Sequence, residues 1–179
     1  MSVTGSRFMN LVRFKGLPIL RQLHIEEQLL RTSSDNWCIV NDGTNDPTIV
    51  MGVSGVPREL LEIGPVLRDE IPVIRRFTGG GTVVVDSGTV FVTLICSKDA
   101  VAGLQPYPRP IMSWSGHLYA RVFQGVGDFN LRENGISSHL PSNPNEFVIS
   151  VLSSKAFFLK CVRDLHLKPH AWLEKESRP

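Results

Sequence analysis

Two cations, three consecutive glycines and an acid stand together in Ile74-Arg75-Arg76-Phe77-Thr78-Gly79-Gly80-Gly81-Thr82-Val83-Val84-Val85-Asp86. Glycine has no Cβ, so such a loop reaches backbone angles closed to other residues and lets a ligand approach the main chain. Its exposed N–H groups can hold an anion. Arginine adds a planar fork of donors that stays charged at any working pH and matches carboxylate and phosphate geometry. Thr78 adds a hydroxyl donor. The pattern points to an oxyanion site, against the plainer reading of a tight turn or bulge with Arg75 and Arg76 merely solvated. No Gly-Lys-Ser/Thr follows the glycines and no GxGxxG opens a helix, which excludes the P-loop and the dinucleotide fingerprint.

The elements that must position this loop are read from periodicity. Leu20, Leu23, Ile25, Leu29 and Leu30 predict an amphipathic helix over 18–31, with Pro18 in its first turn and Glu26 and Glu27 on its solvated face. Residues 37–40 and 48–51 predict a strand, a turn and a strand, since Asn41-Asp42-Gly43 and Asn45-Asp46-Pro47 are turn chemistry. A short helix over 59–63 and a strand over 71–76 lead into the glycines. Strands over 82–85 and 90–96 flank Asp86-Ser87-Gly88, which predicts a hairpin. Ile111, Trp114, Leu118 and Val122 predict a helix over 111–124, and a weakly helical stretch is expected over 156–165. Strands interspersed with two helices, without regular alternation, argue for an α+β layer on a mostly antiparallel sheet.

Composition narrows the function classes. With 179 residues, 42% hydrophobic and 20% charged, the chain is ordinary for one soluble globular domain. A net charge of +2 without a basic stripe announces neither a nucleic acid nor a membrane as partner. No apolar run approaches the roughly 20 residues that span a bilayer. Arg7, Arg13, Lys15 and Arg21 precede the first acid, Glu26, as in an organelle transit peptide, yet folded-domain periodicity by Leu17 leaves little leader. Cys38, Cys96 and Cys161 are widely spaced and complete no zinc pattern, so no metal site is expected and a reducing compartment, cytoplasmic or mitochondrial, fits.

The arginine–glycine segment resembles the Arg-Arg-x-Ser/Thr-Gly-Gly-Gly-Ala-Val signature of lipoate-protein ligases, within the biotin/lipoate A/B protein ligase family. The likeness runs from about Leu17 to Asn134. His24-Ile25-Glu26-Glu27-Gln28-Leu29-Leu30 is similar to the family's Leu-Glu-Glu-x-Leu-Leu helix, and Thr48-Ile49-Val50-Met51-Gly52 to its strand ending in Met/Ile-Gly. The fold implied is the class II aminoacyl-tRNA synthetase and biotin ligase type, a mixed, mostly antiparallel sheet with flanking helices, incomplete here. The activity implied is activation of lipoate or octanoate with ATP to acyl-AMP, then transfer to a lysine of an acceptor domain. Acceptors implied are lipoyl domains of 2-oxoacid dehydrogenase complexes or the glycine-cleavage H protein. By this resemblance Arg75 or Arg76 clamps carboxylate and phosphate, Thr78, Gly79, Gly80, Gly81, Thr82 and Val83 line the adenylate, Asp86 stands where the family has an aspartate, and Mg2+ shares the phosphate charge.

Departures from the family are concentrated downstream. Val85-Asp86 and Gly88-Thr89 replace its His-Asp and Gly-Asn. After Leu131-Arg132-Glu133-Asn134 the family has a lysine–glycine segment whose lysine meets the acyl carbonyl and the α-phosphate; here Gly135-Ile136-Ser137-Ser138-His139 follows. Lys155 and Lys160 are not expected to replace it. The reading is therefore a partial catalytic domain over 1–134 and a divergent, poorly ordered tail over 135–179, as a truncated or altered member would have.

Two alternatives follow. One is a catalytically impaired relative that holds lipoate or an acceptor; the other is an ATP-independent octanoyltransferase using Cys96 as nucleophile. Cys96, at the end of an apolar strand, is better read as a buried small residue. His117 reads as a boundary histidine, and Trp37, Trp114 and Trp172 as packing residues. Biotin is disfavoured because the Gly-Arg-Gly-Arg-x-Gly-Arg sequence is missing.

Overall fold

The computed structural model describes residues 8–97, 99–122 and 124 and, beyond them, strands at 130–132, 135–137, 148–152 and 157–162. Arg7, Lys155 and Trp172 lie outside the described residues. Strand β1 (Met9–Lys15) leads into helix α1 (Ile19–Thr32), followed by β2 (Asn36–Asp42) and β3 (Thr48–Met51). Two short helices, α2 (Pro57–Leu60) and α3 (Ile63–Arg68), precede β4 (Val73–Arg75), the glycine loop, β5 (Val83–Val85) and β6 (Thr89–Ile95). Helix α4 (Pro108–Val122) and the strands β7 (Asn130–Arg132), β8 (Gly135–Ser137), β9 (Val148–Leu152) and β10 (Phe157–Val162) follow.

Among the described residues these strands form a seven-stranded sheet, β1-β2-β6-β10-β9-β8-β7, and a three-stranded sheet, β4-β3-β5. Among the described residues only the pairs β1–β2 and β3–β4 are parallel. The result is the mixed, mostly antiparallel α+β arrangement expected. The parallel pair β1–β2 needs a crossover, and α1 supplies it. Strand β1 itself was not anticipated, because parallel pairing with the remote β2 leaves no short-range mark.

First, the strand, turn and strand expected over 37–51 are present as β2 and β3, divided between the two sheets. Second, β5 and β6 are not the hairpin expected, because they too are divided between the two sheets. β2 and β6 pair antiparallel with Asp42 opposite Val90, and β3 and β5 pair with Thr48 opposite Val85. The turn residues between them let both strands bend side by side from one sheet into the other. The joint is stitched by Gly43 N–H donating to Thr89 O at 3.0 Å and by the Thr44 N–H and Oγ1 donating to Asp86 O at 3.0 and 3.1 Å. Third, Phe157–Val162 is a strand and not a helix, paired with β6 and β9, with Lys160 opposite Phe91. Pairing with a remote strand overrides weak local helical periodicity.

Helix α1 lies over the joint and buries Ile19, Gln22, Leu23 and Glu26, an i, i+3, i+4, i+7 stripe. Ile19 and Leu23 pack against Val50, Val85 and Phe91, so one helix closes the core across both sheets. On the opposite face of the small sheet, Ile49, Met51 and Val84 pack against Leu61 and Val66. β3 is thus buried on both faces, which is why apolar residues run without alternation from Ile49 to Met51. Each such side chain contributes about 1.5–3 kcal/mol by burial. The stripe corrects the expectation for Glu26, which is fully buried, while Glu27 is half-buried and pairs with Arg31 at 2.7 Å.

The entry to α1 has no side-chain cap. Asn41, buried on β2, instead donates Nδ2–H to Leu17 O at 2.8 Å and accepts from Leu17 N–H at 3.1 Å, standing in for a ladder neighbour. Truncating it leaves a backbone donor and acceptor unpartnered, at about 1–3 kcal/mol for each such group. Asn41→Ala is expected to lower unfolding stability by about 2 kcal/mol or more in urea titration; a loss under about 0.5 kcal/mol would contradict this account of the helix entry.

Candidate functional site

The loop after β4 is built by Arg76. Its N–H donates to Met51 O at 2.9 Å, continuing the β4–β3 pairing by one residue. Its side chain then folds under the glycines, with Nε donating to Gly79 O at 3.1 Å and Nη2 to Gly81 O at 2.7 Å. The guanidinium is buried at 2% exposure and is therefore not solvated. In a planar trans peptide the carbonyl and the following N–H point opposite ways, and the described chain has no cis peptide. Drawing the Gly79 and Gly81 carbonyls onto Arg76 thus turns the Gly80 and Thr82 N–H groups away from it. Among the described residues the Gly79, Gly80 and Gly81 N–H groups donate no backbone hydrogen bond. Open space flanks the loop, since a Cβ added at Gly79 or Gly81 meets nothing within 4 Å.

Two glycines are required by geometry. Gly80 has φ of 107°, a conformation side chains rarely adopt. Gly52, just past β3, lies so close that an added Cβ would sit 2.1 Å from Gly80 O. Val53 N–H donates to Thr78 O at 2.9 Å beside that contact, so the loop is seated on the end of β3.

Arg75 behaves differently from Arg76. It is exposed, and its Nη1 donates to Val53 O at 2.7 Å and Gly55 O at 2.8 Å. It forms one wall of a cleft of about 300 Å³, with apolar Leu20, Leu23, Ile74 and Phe77 and the buried Arg76 among the other lining residues. His24 and Glu27 also line it, so the cleft joins an apolar wall to the exposed Arg75 guanidinium, which suits an amphiphile with an anionic head.

Beneath the loop lies a buried polar cluster that the sequence reading missed. Glu26 Oε1 accepts from Gln22 Nε2 at 2.8 Å and from Thr93 Oγ1 of β6 at 2.5 Å. Gln22 Oε1, Glu26 Oε2, Arg76 Nη1 and Thr78 Oγ1 are buried without a hydrogen-bond partner. Burial lowers Arg76 to about 10 while the charge of Glu26 opposes the shift. Burial pushes the Glu26 carboxyl up to about 7, against the hydrogen bonds from Thr93 and Gln22 and the charge of Arg76. The signal that could have found this cluster was two polar residues, Gln22 and Glu26, at core positions of a helical stripe.

The remaining candidates fall elsewhere. Thr82 is half-buried, and Val83 opens β5 and packs against the core beneath α1. Asp86 Oδ1 accepts from Gly88 N–H at 2.9 Å and Thr89 Oγ1 at 3.1 Å, so that oxygen holds the turn between β5 and β6. Phe91 and Thr93 face α1, so alternation puts Cys96 on the other side of that sheet. Its thiol is half-buried and is raised to about 11 by burial and by Cys38, which leaves it protonated. His117 is exposed and bonded to Ser113 O. Trp37 packs against Ile39 and Ile95 and donates Nε1–H to Ser33 Oγ at 3.0 Å. Among the described residues no group of three or more His, Cys, Asp or Glu could hold a metal ion, and no helix is long and apolar enough to cross a membrane.

Comparison with known proteins matches residues 18–139 to the lipoyl protein ligase A/B catalytic domain. Over 100 residues the chain is 26% identical to an inactive lipoate–protein ligase 2 of Plasmodium falciparum, covering 55% of this chain and 25% of that protein. It thus spans a quarter of that relative's length. In fold it is similar to the bi-partite lipoate protein ligase of Thermoplasma acidophilum, with a TM-score of 0.64 and 16% identity over 95% of this chain and 68% of that one. A lipoate-protein ligase A bound with ATP gives a TM-score of 0.57 at 16% identity, covering 93% of this chain and 70% of that one.

Glu26 makes stability depend on pH with a definite sign. Its folded pKa of about 7 lies above the ordinary carboxyl value of 4.5, so its stabilising contribution is complete below about 4.5 and lost as pH rises through about 7. At 1.36 kcal/mol per pKa unit the loss approaches about 3 kcal/mol. Urea unfolding at pH 5 and pH 8 should show Glu26→Gln losing about 2–3 kcal/mol less than the unsubstituted chain between the two, since part of the loss is already complete at pH 5. An equal loss in both proteins would contradict the burial of an ionisable carboxyl there.

Proposed function

The chain belongs to the lipoyl protein ligase A/B catalytic domain family, and on that premise we propose that it binds a lipoate or octanoate acid and ATP across the glycine loop and joins them as an acyl-adenylate. The observation that carries this reading is the loop itself, whose carbonyls are drawn inward by Arg76 so that the Gly80 and Thr82 amides are presented outward. Attack of a carboxylate oxygen on the α-phosphate forms the mixed anhydride and releases pyrophosphate. Charge accumulates on the nonbridging oxygens, where preorganised N–H donors act without reorganising. Arg75, on the cleft wall with only its Nη1 engaged among the described residues, is the cation for the carboxylate or phosphate. Leu20, Leu23, Ile74 and Phe77 take the acyl chain. Magnesium has no cage of side chains among the described residues, and it enters only as the companion of the triphosphate. The acyl group then passes to the lysine of an acceptor, a lipoyl domain of a 2-oxoacid dehydrogenase complex or the glycine-cleavage H protein, with AMP leaving.

A second reading is favoured by one specific feature. Gly135-Ile136-Ser137 follows Leu131–Asn134 where the family's lysine is expected, and the Plasmodium relative is named inactive. A chain without that cation holds lipoate and nucleotide yet turns over slowly, since losing one such donor typically costs about two to three decades in rate. An octanoyltransferase working through Cys96 is not proposed, because its thiol stays protonated on the side of the sheet away from the loop.

Lipoate-dependent exchange of labelled pyrophosphate into ATP tests the proposal. Exchange is expected in the unsubstituted chain, and Gly52→Ala, which displaces Gly80, should lower it by about two to three decades. Stabilisation by lipoate and ATP without exchange would support the binding-only reading. Neither exchange nor stabilisation would overturn both.

A further inference from the structure

We propose that Glu26 is the positioning residue of the glycine loop: from beneath it, its carboxylate keeps Arg76 seated on the Gly79 and Gly81 carbonyls, and so sets whether the Gly80 and Thr82 amides face a ligand. This rests on the adenylate reading of the loop given above.

The argument begins from burial. Arg76 is 2% exposed and Glu26 is 0% exposed, on different elements of the fold. A buried guanidinium without a compensating charge moves to water if it can. Arg76 has such a route, because it also lines the cleft. What opposes that exit is two carbonyl contacts and the field of Glu26. No direct ion pair joins Glu26 to Arg76 among the described residues, and each keeps one buried polar atom unpartnered, Oε2 and Nη1. The pair therefore acts through charge, and once that charge is removed only the two carbonyl contacts hold Arg76 in place.

The surroundings make Glu26 the group that decides. Gln22 faces it from its own helix, Thr93 from β6 and Arg76 from the segment after β4. Of these, Arg76 alone is charged. His24 is exposed on α1 and lines the cleft, Arg21 is exposed, and Glu27 is engaged by Arg31. With Glu26 ionised, the loop is held and its amides converge. With Glu26 protonated, Arg76 loses its counter-charge, swings toward the cleft and frees the Gly79 and Gly81 carbonyls, and the cradle relaxes.

The test uses the whole chain labelled with 15N, following the Gly80 and Thr82 amide signals from pH 5.5 to 8.5. Both should titrate with one midpoint near 7 in the unsubstituted chain and in His24→Gln, and stay at their low-pH positions in Glu26→Gln. Affinity for a non-hydrolysable acyl-sulfamoyl adenosine should fall at least about tenfold from pH 8 to pH 6 in the unsubstituted chain and be low at both in Glu26→Gln. Amides that do not titrate, that titrate unchanged in Glu26→Gln, or that lose their midpoint in His24→Gln overturn the inference. Amides that titrate as expected while the analogue does not bind leave Glu26 as positioning residue and overturn the adenylate reading instead. Should Glu26→Gln fail to fold, the 13C titration of the Glu26 carboxyl is compared with that of the amides: coincident midpoints support the inference, and separate ones overturn it.

Discussion

A guanidinium placed in the core must be surrounded by oxygen, and where Arg76 finds that oxygen determines the shape of the site. Two of its donors take the carbonyls of Gly79 and Gly81. Because a peptide unit is rigid, fixing its carbonyl fixes its amide, and a segment of three glycines that would otherwise sample many conformations is held in one. The side-chain-free residues supply access and Arg76 supplies order. Neither alone makes an anion cradle.

The rest of the fold serves that arrangement. Two antiparallel ladders bend together at Gly43–Thr44 and Asp86–Thr89, and α1 spans the bend with Ile19 and Leu23 against strands of both sheets. The same helix lines the cleft with Leu20, Leu23 and His24 on one side and carries Gln22 and Glu26 under the loop on the other. Site and core therefore share one element, and a change that shifts α1 alters acyl cleft, loop support and packing at once. Gly52 joins the loop to β3 by steric exclusion and not by a bond, leaving room for Gly80 O and nothing larger.

What could be read from the sequence follows the range of the forces involved. The helices α1 and α4, the strands β2 to β6 and the chemistry of the Arg75–Val83 segment were legible, because local spacing and backbone freedom specify them. Asn41-Asp42-Gly43 and Asp86-Ser87-Gly88 were legible as turns but not as bends between sheets, since only the remote partner strand decides whether a chain that turns also reverses. β1 and β10 were missed for the same reason: parallel pairing to β2 and antiparallel pairing to β6 leave no short-range mark. In the site, Arg75 and Arg76 read as an equivalent pair, yet one is exposed on the cleft wall and the other holds the backbone from within. Asp86 was legible as the family's aspartate, while the turn that its Oδ1 closes was not. Glu26 read as solvated because charge suggests surface, although its spacing from Ile19 and Leu23 placed it on the buried stripe.

Membership of the lipoyl protein ligase A/B family gives this geometry a chemical setting, and the central claim is that the loop meets its ligand with backbone amides while Arg76 remains beneath. The most direct measurement is a crystal structure of the chain with a non-hydrolysable acyl-adenylate analogue. The account predicts the Gly80 and Thr82 nitrogens within about 2.7–3.1 Å of the oxygens of the linking group, with Arg76 still on the Gly79 and Gly81 carbonyls. An analogue bound elsewhere, or bound by an Arg76 drawn out into the cleft with the loop amides turned aside, would contradict it.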